Sequence, residues 1–157
     1  MKILISTLIA GLIVFSSCGS ANVKEPEYRD ISEVRLIEPG LLQSTAGIDL
    51  IFYNPNKFGV QISDARGDVY IDNNYLGRFG LAEKVQVRKK SEFILPAIIK
   101  VDMIGALKNQ RDIFKKKEAV VRIDGIARVK KAGITRDIPV KFESVQNLER
   151  FRNLVAH

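Results

Sequence analysis

The sequence has no tryptophan, one histidine that is its last residue, His157, and one cysteine, Cys18. These scarcities exclude much of the common reaction chemistry. With no internal histidine and no second thiol, the usual general base and the usual thiol nucleophile are missing from the body of the chain. One cysteine builds no internal disulfide framework and supplies no zinc-type ligand spacing. No glycine-rich phosphate loop occurs either. Asp64, Asp68 and Asp72 recur every four residues but match no calcium loop, and read as solvated acids along one strand face. Neither a metal nor a cofactor is expected, and the chain reads as non-catalytic.

What is present is a chain of 157 residues with 46% hydrophobic residues and a formal charge of +7, enough for one ordinary core. A basic balance suits nucleic acid, an anionic membrane or an anionic polymer equally well, so the compartment must decide. Met1-Lys2 forms a short positive start. Ile3 to Phe15 is an apolar run interrupted only by Ser6, Thr7 and Gly11, and Ser16-Ser17 precede Cys18. Such a run is short for a membrane span and fits a secretory leader. The cysteine after small residues at its end resembles the lipobox of bacterial lipoproteins, with Phe15 where that motif usually has leucine. The resemblance implies a leader over 1–17 that is cut away and a lipidated Cys18 as the first mature residue, carrying three acyl chains. Each buried CH₂ is worth about 0.8 kcal/mol, so several chains hold firmly where one binds marginally. Gly19, where lipoproteins retained in the inner membrane of enterobacteria usually have aspartate, favours the outer membrane. The expected partner is then a membrane, through Cys18, and nucleic acid is disfavoured by export.

Residues 18–30 read as the lipidated cysteine and a polar tether, with a reach of about 20 Å as a flexible coil. From Ile31 the pattern is that of strands. Val34 and Leu36 alternate with Glu33 and Arg35, and Pro39-Gly40 ends that run. Ile48, Leu50 and Phe52 alternate with Asp49, Ile51 and Tyr53. Asn54-Pro55-Asn56 stops the strand: Pro55 has no N–H for a ladder, and both asparagines can bond nearby backbone in a tight turn. Val60 and Ile62 resume the alternation, Asp68–Asp72 follows, and Asn73-Asn74 reads as a hairpin turn. Val85 and Val87 share a side. Phe93, Leu95, Ala97, Ile99 and Val101 make a further strand, where Pro96 predicts an edge or bulge. Asp102 is placed to cap a short helix over Met103–Phe114. Ala119, Val121, Ile123, Ala127 and Val129 alternate next, and Gly125 within them predicts a bulge or a close backbone approach. Lys130–Gly133 is a hairpin loop, and Ser144 reads as the N-cap of a terminal helix through Val145, Leu148, Phe151 and Val155. About seven short strands with one inserted helix predict an all-β antiparallel sandwich over 31–157.

Asp49 to Phe58 with its Asn-Pro-Asn corner, then Val60, Ile62, Val69-Tyr70-Ile71, Asn74-Tyr75-Leu76-Gly77 and Ser91 to Pro96, resembles the late embryogenesis abundant type 2 domain, also called WHy (water stress and hypersensitive response). The resemblance spans roughly Ile31 to Phe142. It implies an immunoglobulin-like or fibronectin-III-like sandwich with a helix between late strands, and an association with stress tolerance. The role expected is a binding or protective module of the cell envelope. The alternative is a structural subunit docking a specific envelope protein.

Three basic clusters are the remaining exposed feature: Lys84, Arg88, Lys89 and Lys90; Lys115, Lys116 and Lys117; and Arg128, Lys130, Lys131 and Arg136. They read first as solubility and edge protection. The functional reading is attraction to anionic lipid or glycan, worth about 1 kcal/mol per Lys or Arg near a charged surface. Tyr70 and Tyr75 read as a cross-strand pair.

Overall fold

Every strand but one runs for eight residues or more, so alternation of side chains decides the architecture. The computed structural model describes residues 23–109, 112 and 115–149. The elements are β1 (Glu27–Glu38), β2 (Gln43–Asn54), β3 (Val60–Ile71), β4 (Asn74–Leu81), β5 (Val85–Val87), β6 (Ser91–Asp102), α1 (Met103–Asn109), β7 (Glu118–Lys131) and β8 (Ile134–Asn147). All pairings are antiparallel, in the order β1-β2-β6-β4-β3-β7-β8, with β5 on β3. The expected all-β antiparallel sandwich is therefore present, drawn from one curled sheet of eight strands. β4 links the layer β1-β2-β6 to the layer β3-β7-β8. Val85 and Val87 fall in β5, which follows β4 along the same side of β3 after a break at residues 82–84.

The alternating positions meet inside the curl. Ile48, Phe93 and Ala97 from one layer and Ala65 and Val69 from the other are buried, with Phe79 of β4 between them. A cavity of ≈ 100 Å³ remains at the centre, lined by apolar side chains that include Leu50, Leu95 and Ile123. The two edge strands meet there through Tyr28 of β1. Its ring packs edge-on against Phe52 at 5.7 Å and Phe142 at 5.2 Å, and its hydroxyl donates to Oε1 of Gln146 at 3.3 Å.

Several local expectations hold. Asp102 Oδ1 accepts the Ile104 and Gly105 N–H groups at 3.1 Å each, capping α1. Tyr70 and Tyr75 pair across β3 and β4 with ring centres 5.8 Å apart. Gly125 marks a close approach: it faces Gly67 in unbroken register, and a Cβ on either would meet backbone of the other strand.

Others are corrected. Ser144 caps no helix; it lies inside β8 opposite Val121, because the inward alternation through Val140 and Phe142 carries the strand on. The cap position falls at Asn147, whose Oδ1 accepts the Glu149 N–H at 2.8 Å. The expected terminal helix through Phe151 and Val155 falls outside the described residues, as does the expected end of the inserted helix at Phe114. β1 begins at Glu27, so the expected tether loses its last four residues to the sheet, where they pair with the end of β2. The hairpin turn is Asp72-Asn73, one residue early, with φ of 47° and 66°; Asn74 already belongs to β4. Pro96 lies neither on an edge strand nor at a bulge. Its carbonyl accepts the Ala82 N–H beyond the end of β4, so its missing N–H faces a side where no strand requires it.

Candidate functional site

The Asn-Pro-Asn corner ends β2 and gathers four segments. Asn54 and Asn56 are the two buried polar residues among the described ones, at 3% and 8% exposure. Asn54 Nδ2 donates to the carbonyls of Phe58 and Arg88, both at 2.9 Å. Its Oδ1 accepts the Asn56 backbone N–H at 3.0 Å and Asn56 Nδ2 at 2.9 Å. Asn56 Nδ2 also donates to the Lys24 carbonyl at 2.8 Å, while Asn56 Oδ1 accepts the Lys24 N–H at 2.9 Å. The Asn56 carbonyl accepts the Lys90 N–H at 3.1 Å. One primary amide thus imitates a strand partner for Lys24, pinning the N-terminal segment to this end of the sheet. The buried Pro55 holds both asparagines in place. The composition of the corner was legible as a turn; its hold on Lys24 has no local signal, because the contact spans 32 residues.

The register places the basic clusters. At the corner end lie Asn54 opposite Ser91, Val60 opposite Val87, and Gln61 opposite Lys130. The β5–β6 turn with Arg88, Lys89 and Lys90 therefore stands beside Lys130 and Lys131 at the end of β7. A groove of ≈ 690 Å³ runs between them. Lys131 Nζ sits 3.4 Å from the centre of the Phe58 ring, a cation–π contact. Lys57 in the corner loop adds an exposed cation that the cluster pattern missed. Two residues of these clusters are set apart: Lys84 lies at the far end of β5, and Arg128 forms a two-pronged salt bridge with Asp137 at 2.8 and 3.0 Å. Arg136, exposed and opposite Val129, stays beside the Lys130–Thr135 pair.

Lys115, Lys116 and Lys117 stand at the opposite end, where Glu118 and Asn147 pair and the β3–β4 turn closes. Lys115 pairs with Asp112 at 3.4 Å, and Lys116 Nζ reaches Asp72 Oδ2 at 2.8 Å. The Lys116 ammonium, aided by the Val120 N–H, holds the Asp72 carboxyl below the usual carboxylate range. A lowered folded value stabilises above the unfolded value and is lost as pH falls through the folded one, so the window lies below about pH 4. Asp72→Asn should therefore lose less stability than wild type between pH 5 and pH 3, read as urea midpoints; equal losses would remove Asp72 from the acid response. The other two aspartates of that series are also engaged, Asp64 with Arg66 and Asp68 with Arg78. Among the described residues no group of three or more His, Cys, Asp or Glu is gathered to hold a metal, and no helix is long and apolar enough to cross a membrane.

The same far end carries exposed apolar side chains. Leu41 is 93% and Leu42 69% exposed in the β1–β2 turn, beside Leu36, Ile37 and Ile104. The Leu42 carbonyl accepts the Met103 N–H at 3.0 Å, which holds the turn against the start of α1. The pair Leu41-Leu42 directly after Pro39-Gly40 was the available sequence signal, since loops seldom carry two consecutive leucines. Cys18 lies outside the described residues.

The family model of late embryogenesis abundant proteins, type 2, matches residues 49–143, more than half of the chain. This chain belongs to the late embryogenesis abundant type 2 family. At family level it is a stress-related protein of a generally non-catalytic kind. The matched span runs from β2 through most of β8 and includes the Asn-Pro-Asn corner. Among solved structures, a protein from Arabidopsis thaliana is similar at 10% identity and a TM-score of 0.55, over 83% of this chain and 89% of that one. A crystal structure of a protein from Archaeoglobus fulgidus is similar at 9% identity and a TM-score of 0.50, over 77% and 97%. At such identities the likeness concerns the fold. No curated protein matches the chain.

Proposed function

We propose that this late embryogenesis abundant type 2 chain is a non-catalytic, lipid-anchored module of the cell envelope, held at Cys18 in the outer membrane, which shelters partly unfolded proteins under stress. The observation that carries the sheltering role is the exposed apolar cluster of Leu41, Leu42 and Ile104 at the end of the sheet away from Lys24. Such a patch, on a turn bonded through the Leu42 carbonyl to the start of α1, gives weak and general contacts to apolar segments. The anchor rests on the leader pattern and the lone cysteine after it.

The test uses the full chain as the cell makes it. Labelling with a fatty-acid analogue should be lost in Cys18→Ala, and label persisting in that variant overturns the anchor. The purified protein should suppress heat aggregation of a labile enzyme, and Leu41→Asp with Leu42→Asp should remove most of that effect at unchanged melting temperature. No suppression at several-fold excess overturns the sheltering role. A single stoichiometric partner on crosslinking in cells, in place of many, would favour a structural subunit.

A further inference from the structure

We infer that the corner end of the sheet is a docking face for anionic phospholipid headgroups, so that the domain stands upright on the bilayer with its basic end down. The inference rests on the lipid-anchor reading for its geometry and on the charge distribution for its chemistry.

Lys24 is six residue steps from Cys18, and an extended chain covers at most about 3.6 Å per residue, a reach of roughly 20 Å. Lys24 is bonded to Asn56 on both its N–H and its carbonyl. A strand of 12 residues such as β2 spans about 40 Å. The short leash thus forbids the inverted pose, in which Leu41 and Leu42 would touch the membrane with the corner far above it. Upright and flat poses remain, and charge decides between them.

Along the flanks five arginines are neutralised within strands or across neighbours: Arg35 with Asp49, Arg66 with Asp64, Arg78 with Asp68, Arg122 with Asp124, Arg128 with Asp137; the exposed Lys84, Lys100 and Lys141 stand there singly. At the corner end Lys57, Arg88, Lys89, Lys90, Lys130 and Lys131 are all exposed, and none of the ion pairs among the described residues includes any of them. The acids nearby are fewer: Glu25, Glu92, and Glu27 already paired with Arg29. The densest group of unpaired cations among the described residues is thus gathered where the leash emerges. The groove between the two basic turns admits a phosphodiester, with Arg88 and Lys89 on one wall and Lys130 and Lys131 on the other. Tethering favours the membrane over a soluble polymer, because a surface within about 20 Å presents its phosphates at very high effective concentration.

Hydrogen exchange of the full chain on vesicles tests this. With phosphatidylglycerol in the vesicle, exchange at 57–59, 88–91 and 130–133 should slow several-fold relative to phosphatidylcholine alone. The slowing should vanish near 0.5 M salt, where screening is nearly complete within about 4 Å, and in the variant K89E/K90E/K130E, whose melting temperature should match wild type. Equal exchange on both vesicles, slowing at 36–42 in their place, or slowing induced by a soluble anionic glycan alone overturns the docking face. Failure of the anchor is read separately: label retained in Cys18→Ala removes the leash. Salt-sensitive slowing by phosphatidylglycerol that is lost in the charge-reversed protein would still support the face.

Discussion

Asn54→Ala should lower the melting temperature by roughly 10 °C. The substitution leaves the Phe58 carbonyl and the Asn56 N–H without the partners they have in the folded chain, and leaves the Arg88 carbonyl only the Ser91 hydroxyl at 3.1 Å. A buried polar group stripped of its partner costs about 1–3 kcal/mol. Two such groups and a third that keeps one partner, partly relieved by water, give a loss of about 3 kcal/mol, and for a domain of this size each kcal/mol moves the midpoint by about 3–4 °C. Asn54→Asp separates hydrogen bonding from volume: it keeps the acceptor and the shape but turns the donor toward two carbonyls into a carboxylate oxygen. It should be at least as damaging as alanine. Asp64→Ala is the control, because the Asp64–Arg66 pair is exposed and such pairs are worth little. Equal melting temperatures for Asn54→Ala and Asp64→Ala would show that the corner is not the organiser described above.

Gly67→Val should cost still more, although strand preference alone predicts the opposite. Valine is among the residues that strands favour and glycine among those they disfavour. Yet a Cβ at Gly67 would fall 2.2 Å from the Asp124 carbonyl oxygen, 2.5 Å from the Gly125 Cα and 2.7 Å from the Phe79 ring. Two of those neighbours are backbone of β7, so relief means parting β3 from β7 at the centre of the sheet. Overpacking of a core costs about 1–3 kcal/mol when side chains can yield, and more when the backbone must. The expected result is a loss above about 3 kcal/mol in chemical denaturation, with little soluble protein. A variant as stable as wild type would mean that the two strands lie farther apart than this register holds them.

How much of this was legible depends on the range of the physics involved. Strands were legible because alternation is local: Ile48 and Phe52, or Phe93 and Ala97, declare their face by spacing alone. The cap at Asp102 was legible for the same reason, since the groups it bonds are two and three residues away. Ser144 misled because serine before an apolar run at helical spacing is a valid start signal. Nothing nearby reveals that Phe142 and Gln146 belong to an inward face closed by Tyr28, 118 residues from Gln146. Pro96 misled in the same way, for its harmlessness depends on where β4 happens to stop. Of the candidate site, the identity of the corner and the cations could be read directly, but their assembly could not. Three basic clusters of similar appearance divide into one exposed face and one end where lysines meet Asp72 and Asp112.

Residue type and short spacing were enough for the all-β class, the family, the place of the Asn-Pro-Asn corner and the scarcity of reactive groups. Tertiary structure alone decided that Lys24, Asn56, Arg88 and Lys130 share one end while Leu41 and Ile104 share the other. The reason is register: antiparallel pairing sets residues tens of positions apart side by side, and a shift of one residue would turn every side chain to the opposite face.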